Sequence, residues 1–144
     1  MATMNTYLNF PGNTEEAFNF YKSVFGGEFA VLQRFKDYPE ACGGVPATQL
    51  NQIMHVALPI GKHNMLMATD ALESMGKLTI GTNISISLSV DSEKEADTLF
   101  NSLAAGGTVT MPLQKMFWNA YFGMVTDKFD IQWMVNHDYS QKKS

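Results

Sequence analysis

Histidine is the side chain best suited to proton transfer near neutral pH, and this sequence carries three: His55, His63 and His137. His55 and His63 fall on the two arms of an expected hairpin. In that register His55 faces a position near Ala68 and not His63, so the two are not expected to share a metal ion. His55 then stands as a candidate polar contact or proton carrier. A structural histidine bonded within a sheet is the competing reading. His137 falls in a polar terminal stretch, His137 to Ser144, and reads as solvated. Cys42 lies between Ala41 and Gly43, with no basic neighbour to lower its thiol pKa, which argues against a nucleophile.

The other candidates bind instead of react. Trp118 and Tyr121 can stack on a flat ligand, and Tyr7 can join them. The chain has 10 methionines. Met65, Met67, Met116, Met124 and Met134 would make a soft, adaptable apolar lining, although ordinary core filling is the simpler account of any one of them. Gln33, Gln114 and Gln132 are neutral amides able to orient a ligand, or plain surface amides. The site set is therefore Tyr7, Gln33, His55, Met67, Ser85, Gln114, Trp118, Tyr121 and Met134.

Those residues need elements to hold them. Gln114 to Asn136 holds both tryptophans and reads as two strands closed by a short turn. Earlier, Met4 to Phe10 alternates as a strand, Pro11-Gly12 breaks it, and Asn13 begins a helix running to about Phe25. Its expected buried stripe is Ala17, Phe20, Tyr21, Val24 and Phe25. Glu28 to Phe35 reads as a strand with Phe29, Val31, Gln33 and Phe35 on one face. The irregular stretch Asp37 to Gln52 follows, of a length often seen in mobile loops over sites. Ile53 to Leu58 and Asn64 to Thr69 form the hairpin. Asn83 to Val90 sets Ile84, Ile86, Leu88 and Val90 against three serines in strict alternation. A helix with Ala96, Leu99, Phe100 and Leu103 as its stripe comes next, then Thr108 to Pro112 as the start of a strand.

Composition narrows the function. Hydrophobic residues make up 45% of 144, enough for a real core in one domain. The net charge of -4 and the lack of any basic run argue against nucleic acid or an anionic membrane as partners. No apolar run approaches the ~20 residues of a membrane span. The first residues lack the layout of a signal peptide. A single cysteine suits a reducing, cytoplasmic location.

The two halves resemble one another. Glu16-Ala17 matches Glu95-Ala96, Phe20-Tyr21 matches Leu99-Phe100, and Gly26-Gly27 falls beside Gly106-Gly107. Each half is strand, helix, three strands, and one such unit leaves a sheet face bare. The expected fold is α+β: two tandem βαβββ modules, about 1–70 and 82–137, forming a curved mixed sheet around a central hollow within one domain. Polarity lines that hollow with Asn5, Tyr7, Ser85 and Ser87. The helix alignment disagrees by one residue and sets Thr6 beside Ser85.

This arrangement resembles the vicinal oxygen chelate superfamily of glyoxalase I, fosfomycin and bleomycin resistance proteins and extradiol dioxygenases. Within it the chain looks most like the PhnB-like family, some of whose members are labelled 3-demethylubiquinone-9 3-methyltransferase. The match runs through Tyr7-Leu8-Asn9-Phe10-Pro11-Gly12-Asn13, Phe20-Tyr21 to Gly26-Gly27 and Met54-His55-Val56-Ala57-Leu58. It continues through Leu66-Met67 to Asp70, Pro112-Leu113-Gln114, Phe117-Trp118, Phe122-Gly123 and Asp127 to Trp133. At Asp130 the family usually has Gly; Asp tolerates the positive φ such a turn needs. The methyltransferase label finds no Gly-rich strand-to-helix turn to hold a methyl-donor nucleotide.

The resemblance implies a divalent ion held by His and Glu on the first and last strands of each half. The matching places here offer Thr6 or Tyr7, Ser85, Met65 or Met67, and Met134. Hydroxyls and thioethers are weak ligands for such an ion, so no metal cofactor is expected. Three functions follow. The first is a metal-free binder of a small, partly apolar or aromatic ligand. The second is an enzyme of the same superfamily, either a metal-dependent lyase, isomerase or dioxygenase or one using His55 as acid and base. The third is a structural or regulatory partner whose hollow is filled by its own side chains. The resemblance and the exposed sheet edges imply a homodimer in each case.

Overall fold

The computed structural model of the protein describes residues 1–38, 40 and 44–140. Cys42 lies outside them. The described chain divides into two compact units, Met1–Thr79 and Ile80–Ser144.

In the first unit, strand β1 (Thr6–Phe10) leads through Pro11-Gly12-Asn13 into helix α1 (Thr14–Phe25), followed by β2 (Val31–Arg34), β3 (Ile53–Ile60) and β4 (Asn64–Asp70). The sheet order is β1-β4-β3-β2, with β1 parallel to β4 and the other pairs antiparallel. Alternation assigns the faces. Phe10, Val56, Leu58, Leu66 and Ala68 are buried on the side that α1 covers, together with Ala17, Phe18 and Tyr21 of the helix. Phe18 belongs to the buried stripe, whereas Phe20 is half-buried at its margin. Phe18 meets Phe10 and Tyr21 edge-on and lies tilted to Phe29. Burying such a ring stabilises the unit by roughly 2 kcal/mol.

The expected strand Glu28 to Phe35 is shorter than its pattern. Pairing begins at Val31, the register shifts between Gln33 and Arg34, and Phe35 turns inward in a 3-10 turn. Phe29 therefore does not share a strand face with Gln33. Part of the stretch from Asp37 to Gln52 is tied down: Phe35 and Lys36 donate backbone N–H bonds to the carbonyls of Gln52 and Leu50. Arg34 pairs with Glu15 of α1 through both amino groups and also donates to the Asn51 carbonyl.

The second unit repeats the plan with β5 (Ile86–Ser89), α2 (Glu93–Ala104), β6 (Thr108–Met116), β7 (Ala120–Thr126) and β8 (Gln132–Asp138), in the order β5-β8-β7-β6. Ala96, Phe100 and Leu103 of α2 are buried, as are Val125, Trp133 and Val135 of the sheet. The α+β plan of two tandem βαβββ modules is observed, each with a four-stranded mixed sheet. Three corrections arise here. Gln114 to Asn136 holds three strand segments and two turns instead of one hairpin. The strand read from Asn83 starts at Ile86, and Ile84, which precedes it, is 77% exposed. His137 lies within β8, half-buried, with Nδ1 at 3.0 Å from the Val90 carbonyl oxygen, so it is not a solvated tail residue.

Two buried carboxylates organise the units. Asp70 accepts the backbone N–H of Thr14 on Oδ1 and that of Ile53 on Oδ2. Asp127 accepts the N–H groups of Phe129 and Ile131 on Oδ1 and the Trp133 indole N–H on Oδ2. Among the described residues no helix is long and apolar enough to cross a membrane.

Candidate functional site

Each sheet has one face turned away from its helix. In the first unit that face carries Tyr7 and Asn9 of β1, Met65, Met67 and Thr69 of β4, His55 and Ala57 of β3, and Gln33 of β2. Tyr7 is the register partner of Met67, Met67 of Ala57, and Gln33 of His55. The structure thus brings Tyr7, Gln33, His55 and Met67 onto one face, as alternation predicts. The Tyr7 hydroxyl lies 3.3 Å from Nδ1 of His55, and the two rings are near-parallel with centroids 5.7 Å apart. Burial pushes the Tyr7 phenol above its ordinary pKa, a rise that the Thr69 hydroxyl partly offsets. Gln33 donates from Nε2 to the Tyr38 hydroxyl at 3.4 Å. His63 is exposed in the turn after β3, away from His55.

In the second unit the corresponding face carries Ser87 and Ser89 of β5, Gln132, Met134 and Asn136 of β8, Phe122, Met124 and Thr126 of β7, and Gln114 of β6. Ser87 pairs with Met134, Met124 with Met134 across β7 and β8, and Gln114 with Phe122. Trp118, in the turn between β6 and β7, packs on Phe122 with centroids 5.9 Å apart and stays 48% exposed. Gln132 donates to the Ile84 carbonyl.

Two expected site residues are placed differently. Ser85 precedes β5, and Ser87 takes the position beside Met134. Tyr121 pairs with His137 on the face that α2 covers, and its hydroxyl donates to Asp97 of that helix at 2.6 Å. This bond pushes the Tyr121 phenol up to about 12. Tyr121 therefore cannot share a face with Phe122. Thr69, Phe122 and Asn136 were missed; their signal was strand parity, two positions from Met67, Met124 and Met134 respectively.

The one-residue disagreement between the halves is also resolved. Tyr7 beside Met67 corresponds to Ser87 beside Met134. Counted from the equivalent buried residues Phe10 and Val90, three residues precede α1 and two precede α2, so strands and helices align with different offsets.

The residues present can be tested against the groups such a fold and label imply. Middle positions of the parallel pairs β1–β4 and β5–β8 offer a phenol and a thioether in one unit, a hydroxyl and a thioether in the other. These do not fit a hard or borderline divalent ion. Among the described residues, no three His, Cys, Asp or Glu side chains gather at one place. A methyl-donor nucleotide fares no better at the two strand-to-helix turns. The first N–H of α1 is taken by Asp70, and α2 is capped by Ser92 Oγ, with Glu95 closing back on the N–H of Asp91.

A family model described as 3-demethylubiquinone-9 3-methyltransferase matches residues 2–136. Protein YjdN of Escherichia coli strain K12 is 31% identical over 140 residues, spanning 92% of this chain and 93% of that protein. Protein PA1353 of Pseudomonas aeruginosa has a solved structure similar to this one at a TM-score of 0.84 and 43% identity, covering 96% of this chain and 98% of the other. A PhnB protein of Bacillus cereus bearing the same methyltransferase description is similar at a TM-score of 0.75 and 26% identity, covering 94% and 99%. A glyoxalase/bleomycin resistance protein/dioxygenase family enzyme of Burkholderia phytofirmans PsJN shares the fold at 0.59 and 18% identity, covering 92% and 96%.

Proposed function

The chain belongs to the 3-demethylubiquinone-9 3-methyltransferase family, the PhnB-like group with a glyoxalase-like fold, and from that premise we propose that it binds a small, partly apolar or aromatic molecule on its helix-free sheet faces without a divalent metal. One observation carries this reading: each edge strand and its neighbour pair Tyr7 with Met67 and Ser87 with Met134. Thioethers and hydroxyls at those places favour a polarisable organic ligand over an ion. Trp118 on Phe122 adds a half-exposed aromatic surface suited to stacking. The reading extends to a homodimer in a reducing, cytoplasmic setting.

Trp133 is buried and bonded to Asp127, whereas Trp118 is half-exposed, so ligand-dependent tryptophan fluorescence reports on Trp118. Titration with a panel of small aromatic and aliphatic compounds is expected to quench or shift that signal for some aromatic members. The response should disappear in Trp118→Phe. A flat response across the panel would overturn the proposal.

A further inference from the structure

We infer that Tyr7 is a positioning residue: its hydroxyl donates to Nδ1 of His55, holds the imidazole in the Nε2–H form, and so makes His55 a hydrogen-bond donor to an acceptor oxygen of the ligand, a carbonyl on a flat apolar body. This deepens the proposed function and rests on the helix-free face of the first unit being a ligand-binding face.

The geometry follows from strand order. Tyr7 is on β1 and His55 on β3, with β4 between them. Two strand spacings amount to roughly 10 Å, which a tyrosine and a histidine leaning toward one another can close. Met67 and Ala57 lie in the same row as Tyr7, and the small Ala57 leaves room beside the pair. The result is the 3.3 Å approach of Oη to Nδ1, with ring planes only 10° apart.

Chemistry sets the direction of the bond. A phenol is the better proton donor of the two, and an unprotonated imidazole nitrogen is a far better acceptor than a phenol oxygen. The favoured arrangement is therefore O–H to Nδ1. Whichever nitrogen of a neutral imidazole accepts, the other carries the proton. A phenol is protonated, and so able to donate, across the neutral range. Gln33, the register partner of His55, extends the polar row to Tyr38. Met67 and Met65 supply apolar surface beside it, so one donor stands next to soft contacts. That pairing suits an aryl carbonyl better than a hydrocarbon or a cation.

Nitrogen-15 NMR of the imidazole distinguishes the tautomers directly in the full chain. The wild type is expected to show His55 as Nε2–H at a pH where it is neutral, and Tyr7→Phe to mix the two forms. A Nδ1–H tautomer in the wild type, or the same tautomer in both proteins, would overturn the inference. The wild-type spectrum decides this even if the variant folds poorly. Ligand-detected NMR with acetophenone and ethylbenzene provides the second arm. The ketone is expected to bind about 10-fold more tightly, the worth of one good hydrogen bond, and Tyr7→Phe to cut that preference by about 2-fold for an even mixture of tautomers. Equal binding of both compounds would overturn the donor role while leaving the ligand-binding face intact. Binding of neither would count against that face, and the tautomer would still decide the role of Tyr7.

Discussion

Oδ1 of Asp70 accepts the backbone N–H of Thr14 at 2.9 Å, so the last residue of β4 caps the first turn of α1. The other carboxylate oxygen accepts the N–H of Ile53 at 2.7 Å, where β3 begins. One buried side chain thus fixes the helix against two strands of the sheet whose other face carries Tyr7 and His55.

Removing that carboxylate should be costly. Asp70→Ala leaves two buried N–H groups without partners, each worth about 1–3 kcal/mol. A loss of about 3–5 kcal/mol is expected in urea unfolding, with Asp70→Asn losing about half as much because one acceptor survives. A loss below 1 kcal/mol for the alanine variant would show that the capping arrangement is not what holds α1.

Asp130 adopts a φ of 69°, in the left-handed region that favours glycine. The turn is kept by the N–H of Asp130 donating to the Asp127 carbonyl at 3.0 Å. Asp130→Gly relieves backbone strain but gives the unfolded chain more freedom, so the net gain is modest, about 0.5 kcal/mol. Thermal unfolding should shift slightly upward. A clear drop in midpoint would mean that the Asp130 side chain supports the turn.

Much of this was legible because strand alternation and helix spacing are local signals. Ile86, Leu88 and Val90 against the serines gave the faces of β5, and the Gly-Gly pairs marked the ends of both helices. Tyr121 was misassigned for a physical reason. In β7 the helix-facing row contains Gly123, so the sequence shows no clean apolar alternation. Gly123 is there because an added Cβ would come within 2.8 Å of Phe100 and 2.9 Å of the Leu113 backbone. Only close packing of β7 against its neighbours reveals which row faces α2. His137 was misread because bonding to the Val90 carbonyl is a contact between residues far apart in sequence. Tyr7 and His55 were each visible as candidates, but their approach depends on strand order, which periodicity does not encode.

The tyrosines near α2 give a pH dependence. The bond to Asp97, with burial adding to it, raises Tyr121 to about 12, and burial followed by the bond to Glu93 does the same for Tyr139. A phenol raised above its ordinary 10.0 stabilises the fold fully below that value. The contribution is lost as pH rises through about 12. Phenolate absorbance should show late-titrating tyrosine, reduced by one equivalent in Tyr121→Phe and moved toward 10 in Asp97→Ala. Unchanged titration in Asp97→Ala would remove the hydrogen bond as the cause.

The most direct test of a metal-free, thioether-rich binding face is methionine methyl NMR in the presence of a chelator, with the best compound from the fluorescence panel added. The methyl signals of Met124 and Met134, on the face that carries Phe122, should move with ligand concentration while that of exposed Met75 stays still. If those two remain unmoved, or shift only when nickel, zinc, manganese or iron(II) is supplied in stoichiometric amount, the account is contradicted.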